Sequence, residues 1–507
     1  MSGSAGVLKA KAALESGQPA LIWRKRVADT ETPVSAALKL MSAERGDFLL
    51  ESVEGGETRG RHSLLGLAPD LVFQAQGAEA TINATWLTDR QAFVRQEQES
   101  LAALRALVSR CQMDVPEGLP DALACLVGYF GYETVGLVEK LPRAPQSELE
   151  LPDMLFVRPT VIVVFDRLTD EMFLVSPVWP DNPGSADQKI VVAGERLDEV
   201  ERQLDSMISP SSGQEVSSID PENLHYDHIC PPDRYRDMVL RAKDYIEAGD
   251  IFQVVLAQRF TTPFSLPPIE LYRALRRVNP SPFLFFLDLP GFAIIGSSPE
   301  ILVRSRNGEV TIRPIAGTRP RGKNATEDKA NRESLLADPK ERAEHLMLLD
   351  LGRNDVGRVS TPHSVEVTDS YTVEFYSHVM HIVSNVVGQL HPDRDAIDAL
   401  FAGFPAGTVS GAPKIRACEI IAELEPETRG AYAGGVGYFS PDGSMDSCIV
   451  LRTGIVKDGT LHVQAGAGIV ADSDPAYEQA ECEAKSGALL AAAREAIRQA
   501  QDMKFGQ

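Results

Sequence analysis

Residues 338–355 read DPKERAEHLMLLDLGRND, a helix whose charged opening decides how the chain around it is read. Asp338 stands at the N-cap and Pro339 suits the first turn, where a missing N–H costs nothing. Glu341 falls at the return position of a capping box. Glu344 lies one turn further along the same face, beside the apolar run Leu346–Leu349. Taken alone, Glu341 reads as readily as a cap for its own helix as it does as a working acid. The last helix repeats the design. From residue 474 it reads DPAYEQAECEAK, with Asp474 as cap, Pro475 in the first turn, and Glu478, Glu481 and Lys485 sharing one face at i, i+3 and i+7. Alone, that face is a solvated stripe of charge. Two such faces brought together would suit a hard cation such as magnesium, which takes oxygen ligands and leaves positions for water and substrate oxygens.

Outward from these helices the pattern mixes strands and helices without regular alternation. Strands are expected over Phe48–Val53, Val157–Phe165, Val254–Phe260, Phe283–Asp288, Ile294–Ser297, Ile449–Val456 and Leu461–Gly466. Helices are expected over Asp187–Ile208, Tyr235–Ala248, Ile269–Val278, Asp338–Leu351, Ala417–Leu424 and Pro475–Ala500. This arrangement predicts an α+β fold rather than a doubly wound parallel sheet. The Ser-, Pro- and acid-rich stretch SPSSGQEVSSIDPEN at 209–223 reads as a linker. It divides the chain into an N-terminal domain at 1–210, a linker at 211–230 and a C-terminal domain at 231–507.

With 72 acidic and 50 basic residues in 507, the chain carries a net charge of −22. Such a surface repels phosphate backbones and anionic lipid, so neither nucleic acid nor a membrane is an expected partner. An anionic substrate would need local help from Arg, Lys, backbone N–H groups or a bound cation. Six scattered cysteines without a C-x-x-C pair suit a reducing compartment rather than a disulfide framework or a zinc site. The N-terminus shows no signal-peptide pattern, so a cytoplasmic location is expected.

Three motif-like segments do not carry the chemistry their outlines suggest. GTRPRGK at 317–323 fits a phosphate loop in spacing, but Asn324 stands where a metal-binding hydroxyl is required. GTVSG at 407–411 is not a nucleophile elbow. His378 and His381 lie three apart with no further His or Cys nearby. Gly317-Thr318 and Gly466-Ala467-Gly468 read as turns after strands, where backbone N–H groups can approach an anion. Arg452, inside an expected strand, must face solvent or pair with a carboxylate.

Long motifs then fall in one order: PIAGTRPRG (314–322), KERAEHLMLLDLGRND (340–355), SHVMH (377–381), FPAGTVSGAPK (404–414), GGVGYF (434–439) and GAGIV (466–470). Through them the chain resembles the chorismate-utilising enzyme family over about residues 230–490. LLES (49–52) and GRHSLLG (60–66) resemble the regulatory domain of its anthranilate synthase branch.

The resemblance implies an α+β fold of packed antiparallel β-sheets flanked by helices, and conversion of chorismate and ammonia to anthranilate and pyruvate. It implies Mg2+ held by Glu344 and Glu481 with support from Glu478. Chorismate would be bound by Gly317, Thr318, Tyr432, Arg452, Gly466, Ala467, Gly468 and Lys485. Glu341 is the implied general acid, His381 the implied base, and Thr408 lies in the same site. A separate glutamine amidotransferase subunit would supply ammonia. Tryptophan would inhibit by binding at Ser52, Pro282, Phe283 and Leu284. Ala316 stands where many aminodeoxychorismate synthases, the competing reading, carry lysine in PIKGT.

Overall fold

The structure, a computed structural model, describes residues 4–54, 58–120, 122–208, 220–376 and 379–505. Among them, two twelve-stranded sheets form the body, and every neighbouring pair of strands runs antiparallel. The first runs in space through Ala20–Val27, Glu171–Val178, Val161–Asp166, Thr58–Leu67, Asp47–Glu54, Phe283–Leu289, Phe292–Ser298, Thr453–Lys457, Thr460–Ile469, Gln253–Pro263 and Asp227–His228, with Gly411–Ala412 also pairing to Gln253–Pro263. The second runs through Ile315–Pro320, Val379–Gln389, Glu309–Ile312, Ile301–Arg306, Met445–Ile449, Gly435–Phe439, Leu126–Phe130, Met154–Arg158, Leu71–Gln76, Glu79–Asn83 and Val94–Arg95, with Glu366–Phe375 also pairing to Val379–Gln389.

Alternation along the strands builds two cores from one sheet. In Phe283–Leu289, Phe285 and Leu287 point into the large core between the sheets, whereas Leu284 and Phe286 join a second core on the outer face. Helices Ala186–Leu204, Pro268–Val278 and Pro475–Phe505 cover that outer face with Leu197, Leu271, Tyr272, Leu489 and Ala493. Burying each of these leucines contributes about 2 kcal/mol relative to exposure. Packed antiparallel sheets flanked by helices are the α+β architecture the sequence resemblance implied.

Both sheets take strands from either side of the expected division at 211–230. Asp47–Glu54 pairs with Phe283–Leu289, setting Ser52 opposite Phe283, and Leu126–Phe130 pairs with Gly435–Phe439. Of the expected linker, 209–219 lies outside the described residues, and Pro221–Asn223 forms a short 3-10 helix.

Four expectations need correction. Val157–Phe165 is two strands: Met154–Arg158 belongs to the second sheet and Val161–Asp166 to the first, because Pro159 cannot donate to a ladder and the chain crosses between layers there. Ile449–Val456 is likewise divided, between Met445–Ile449 in the second sheet and Thr453–Lys457 in the first. Arg452 therefore lies at a crossing, with φ 48°, and not within a strand. Gly317-Thr318 lies inside strand Ile315–Pro320, and Gly466-Ala467-Gly468 inside Thr460–Ile469, so neither glycine segment is a turn after a strand. His378 lies outside the described residues. Among the described residues, no helix is long and apolar enough to cross a membrane.

Candidate active site and effector cavity

Strands Ile315–Pro320 and Val379–Gln389 set Thr318 opposite His381, with a register shift between Ala316 and Thr318. The shift leaves Gly317 at φ 72°, a conformation that favours glycine, and a Cβ there would come 3.0 Å from Glu341 Oε2. The Gly317 carbonyl lies 3.0 Å from His381 Nδ1, and Thr318 Oγ1 lies 3.1 Å from the same nitrogen. A carbonyl only accepts, so Nδ1 carries the ring proton and Nε2 keeps a lone pair. Burial holds the imidazole down, to about 4, against the opposing pull of the Gly317 carbonyl. His381 is thus a neutral imidazole with its tautomer fixed.

Arg452 lies near enough to His381 for its charge to act on the ring. Burial lowers the guanidinium from its ordinary value, and the Tyr376 hydroxyl opposes that shift. Among the described residues, its side chain makes no hydrogen bond or ion pair. A half-buried cation without a partner is partly desolvated at a cost, and a planar anion placed against it would relieve that cost through two parallel hydrogen bonds.

Glu300 was not singled out in the sequence. It sits between strands Phe292–Ser298 and Ile301–Arg306, 8% exposed, with Thr408 Oγ1 3.1 Å from each of its carboxyl oxygens. Burial raises it to about 8, opposed by the Thr408 contact. Its signal was an acid set between two apolar runs, which in a buried strand pair requires an explanation. Glu341 is placed otherwise. Asp338 accepts from Lys340 N at 2.9 Å and Glu341 N at 3.4 Å, but the Glu341 carboxylate does not return to close a capping box. It accepts from Arg319 at 2.9 Å, and Arg319 also reaches Asp338 at 2.7 Å.

The two acidic helix faces do approach one another. Burial raises Glu344, and the charges of Glu341 and Glu481 raise it further, while Lys340 and Lys485 oppose them. Burial also raises Glu478, a Ser473 hydrogen bond lowers it, and Glu481 adds to the rise. Lys485 bridges Glu481 at 2.7 Å and donates to the Gly466 carbonyl at 2.9 Å. Among the described residues, no three His, Cys, Asp or Glu side chains are gathered closely enough to hold a metal ion as they stand.

Strand Thr460–Ile469 pairs Gly466, Ala467 and Gly468 with Ala257, Leu256 and Val255. A Cβ at Gly466 would come 2.9 Å from Tyr432 Oη, and one at Gly468 would come 2.6 Å from Gln253 Nε2. Tyr432 is buried, and burial pushes its phenol up. Gln253 is buried as well, with Oε1 unpartnered, and the sequence reading missed it too.

A second cavity, about 850 Å³, opens between the sheets. Ser52, Pro282, Phe283 and Leu284 all line it, with Arg313 and Glu374 on the opposite wall. Glu51 beside Ser52 is buried and held by Tyr272 at 2.6 Å, Arg276 at 2.6 Å and Arg167 at 2.6 Å, which lower it despite the opposing effect of burial.

Residues 46–491 match the family described as chorismate binding enzyme, and the chain belongs to that family. Within it, the chain is 50% identical over 485 residues to anthranilate synthase component 1 of Cereibacter sphaeroides, covering 95% of this chain and 96% of that one. It is 46% identical to anthranilate synthase component 1 of Pseudomonas putida, covering 92% and 93% of the two chains. The crystal structure of anthranilate synthase component I from Streptococcus pneumoniae superposes with a TM-score of 0.74 at 35% identity, covering 92% of this chain and 99% of that one.

Proposed function

We infer that the chain is the chorismate-converting component 1 of an anthranilate synthase, joining ammonia to chorismate and releasing anthranilate, pyruvate and water. The observation that carries this reading is the half-buried Arg452, unpartnered among the described residues, close to a neutral His381. Arg452 receives the carboxylate of the enolpyruvyl arm as a fork on a planar anion. Hydroxide is a poor leaving group, so a proton must reach the C4 oxygen as ammonia adds at C2. Glu300, protonated at neutral pH and steadied by Thr408, is better suited to that donation than Glu341, which is engaged with Arg319. His381 Nε2 then removes the C2 proton while the enolpyruvyl oxygen leaves and the ring becomes aromatic. Gly466, Ala467 and Gly468, with Gln253 and Tyr432 against the two glycines, form the floor on which the ring rests.

The carboxylates of Glu344, Glu481 and Glu478 fit a hard divalent cation in kind, since burial and the charge of Glu481 both raise Glu344 and Glu478. They would hold Mg2+, which when bound supplies positive charge to the ring carboxylate of chorismate. Lys485 would then exchange its bridge to Glu481 for substrate.

Ammonia comes from a separate glutaminase subunit in this reading. All six cysteines here are buried, and burial pushes their thiols up, so none suits a glutaminase nucleophile. Unpaired cysteines also suit work in the cytoplasm. The cavity lined by Ser52, Pro282, Phe283 and Leu284 takes tryptophan as a feedback inhibitor, its apolar wall matching an indole.

The test is incubation of the chain with chorismate, magnesium and an ammonium salt, with product identified by fluorescence and mass. The ortho isomer, anthranilate, is expected. The para isomer, or no product at high ammonium and a pH of about 8, would overturn the assignment.

A further inference from the structure

The cavity between the sheets and the reacting groups share one wall. Strand Glu366–Phe375 gives the cavity Val373, Glu374 and Phe375, and the next residue, Tyr376, stands outside that lining. Glu374 is held from two directions. One carboxylate oxygen accepts from the guanidinium of Arg313, which also lines the cavity. The other accepts from Tyr376 Oη at 3.2 Å. The Tyr376 ring then meets the His381 ring edge-on, with centroids 5.3 Å apart and planes at 69°. In the ladder, Glu374 is the direct partner of His381.

Tyr376 is buried and held at its backbone. It is 6% exposed, its N–H donates to the Val379 carbonyl at 2.8 Å, and its carbonyl accepts from Arg321 at 2.7 Å. Glu300 and Arg452 lie near enough to that hydroxyl for the groups to influence one another electrostatically. Contacts therefore run without a gap from the cavity wall through Arg313, Glu374 and Tyr376 to His381.

We propose that Tyr376 is a positioning residue through which occupancy of the cavity reaches His381. A zwitterionic ligand in the cavity competes for Arg313 with its carboxylate and for Glu374 with its ammonium group. Either contact redirects the Glu374 carboxylate, the Tyr376 hydroxyl loses its acceptor, and the ring that braces the imidazole shifts. The bistable element is that hydroxyl, bonded to Glu374 when the cavity is empty and released when it is filled. The inference rests on the reading of the cavity as the tryptophan site. By linkage, tryptophan weakens chorismate binding by the same factor as chorismate weakens tryptophan binding.

Tyr376→Phe in the full chain removes the hydroxyl and keeps the ring. Tryptophan binding is measured by calorimetry without substrate, and the KM for chorismate is measured with and without saturating tryptophan in the ammonia-dependent reaction. The variant should bind tryptophan as the parent does, while the ratio of the two KM values falls roughly tenfold or more towards unity. A merely structural role would lower kcat or thermal stability and leave that ratio unmoved, which overturns the proposal. Should Tyr376→Phe fail to fold, Glu374→Gln carries the same test at tryptophan concentrations that calorimetry shows to saturate that variant: a reduced ratio at saturation supports the relay and an unchanged ratio overturns it. If the parent itself binds no tryptophan, the effector reading fails and takes the relay with it. If the parent binds and is inhibited while the variants are inhibited equally, the relay alone fails.

Discussion

Glu300→Gln keeps the shape of a buried side chain and removes its proton donor. Positioned general acids contribute about 10²–10⁴-fold, so kcat in the ammonia-dependent reaction should fall within that range. Glu341→Gln, which loses a contact with Arg319, should cost less. The pH dependence follows from the same two groups. Burial holds Glu300 at about 8 and His381 at about 4, so the pair works with Glu300 protonated and His381 neutral between those values. The parent should therefore lose kcat as pH rises through about 8, and should show no limb at the ordinary histidine value of 6.5. Glu300→Gln should lack the alkaline limb.

Stability moves in the same sense. The folded chain keeps the Glu300 proton up to about pH 8, whereas the unfolded chain releases it near 4.5, so the unfolded state binds fewer protons between them. Stability should then fall as pH rises through that window, by on the order of 1 kcal/mol for each pH unit. Glu300→Gln should remove that slope and be at least as stable as the parent at alkaline pH. The assay is anthranilate fluorescence against pH, corrected for the fraction of free ammonia, beside thermal melts of both proteins. A variant within a few-fold of the parent in kcat, with the alkaline limb still present, would refute the assignment of Glu300 as the acid.

Three further outcomes are expected. Arg452→Lys replaces a fork with a point charge and should raise the KM for chorismate by about tenfold or more, measured from initial rates; an unchanged KM would remove Arg452 from the substrate site. Glu481→Gln takes one carboxylate from the paired faces and should raise the magnesium concentration needed for half-maximal rate by at least tenfold, and chelation should abolish turnover of the parent; magnesium-independent turnover would contradict both. Ser52→Phe fills the cavity between the sheets and should relieve tryptophan inhibition while chorismate turnover is retained, so an unaltered tryptophan response would exclude that cavity as the effector site.

The sequence showed most of the elements and hid the places where the chain changes layer. Helix Pro339–Gly357 carries its local signals in the Asp338 cap and a first-turn proline, and Pro268–Val278 in a first-turn proline and a periodic apolar face, and both start where those signals put them. Val157–Phe165 and Ile449–Val456 read as single strands because residues facing one core or the other are equally apolar, and nothing local says that the run passes between sheets. Arg452 was legible as a charge demanding a partner, but its place at a crossing was not. Glu300 and Gln253 were illegible for a different reason: their importance comes from burial and from neighbours 108 residues or more away, Thr408 for one and Gly468 for the other. Glu344 and Glu481, on helices far apart in sequence, were suggested by matching local design and then by resemblance, and their mutual electrostatic influence is visible only in the fold.

The account stands on an anion site assembled from Arg452 and two acidic helical faces within a molecule of net charge −22. A crystal structure with magnesium and an unreactive chorismate analogue examines it directly. The account predicts one ion shared by Glu344 and Glu481, with the enolpyruvyl carboxylate on the Arg452 guanidinium and His381 Nε2 facing C2. An analogue bound elsewhere, or side chains at 344 and 481 that share no ion, would contradict it.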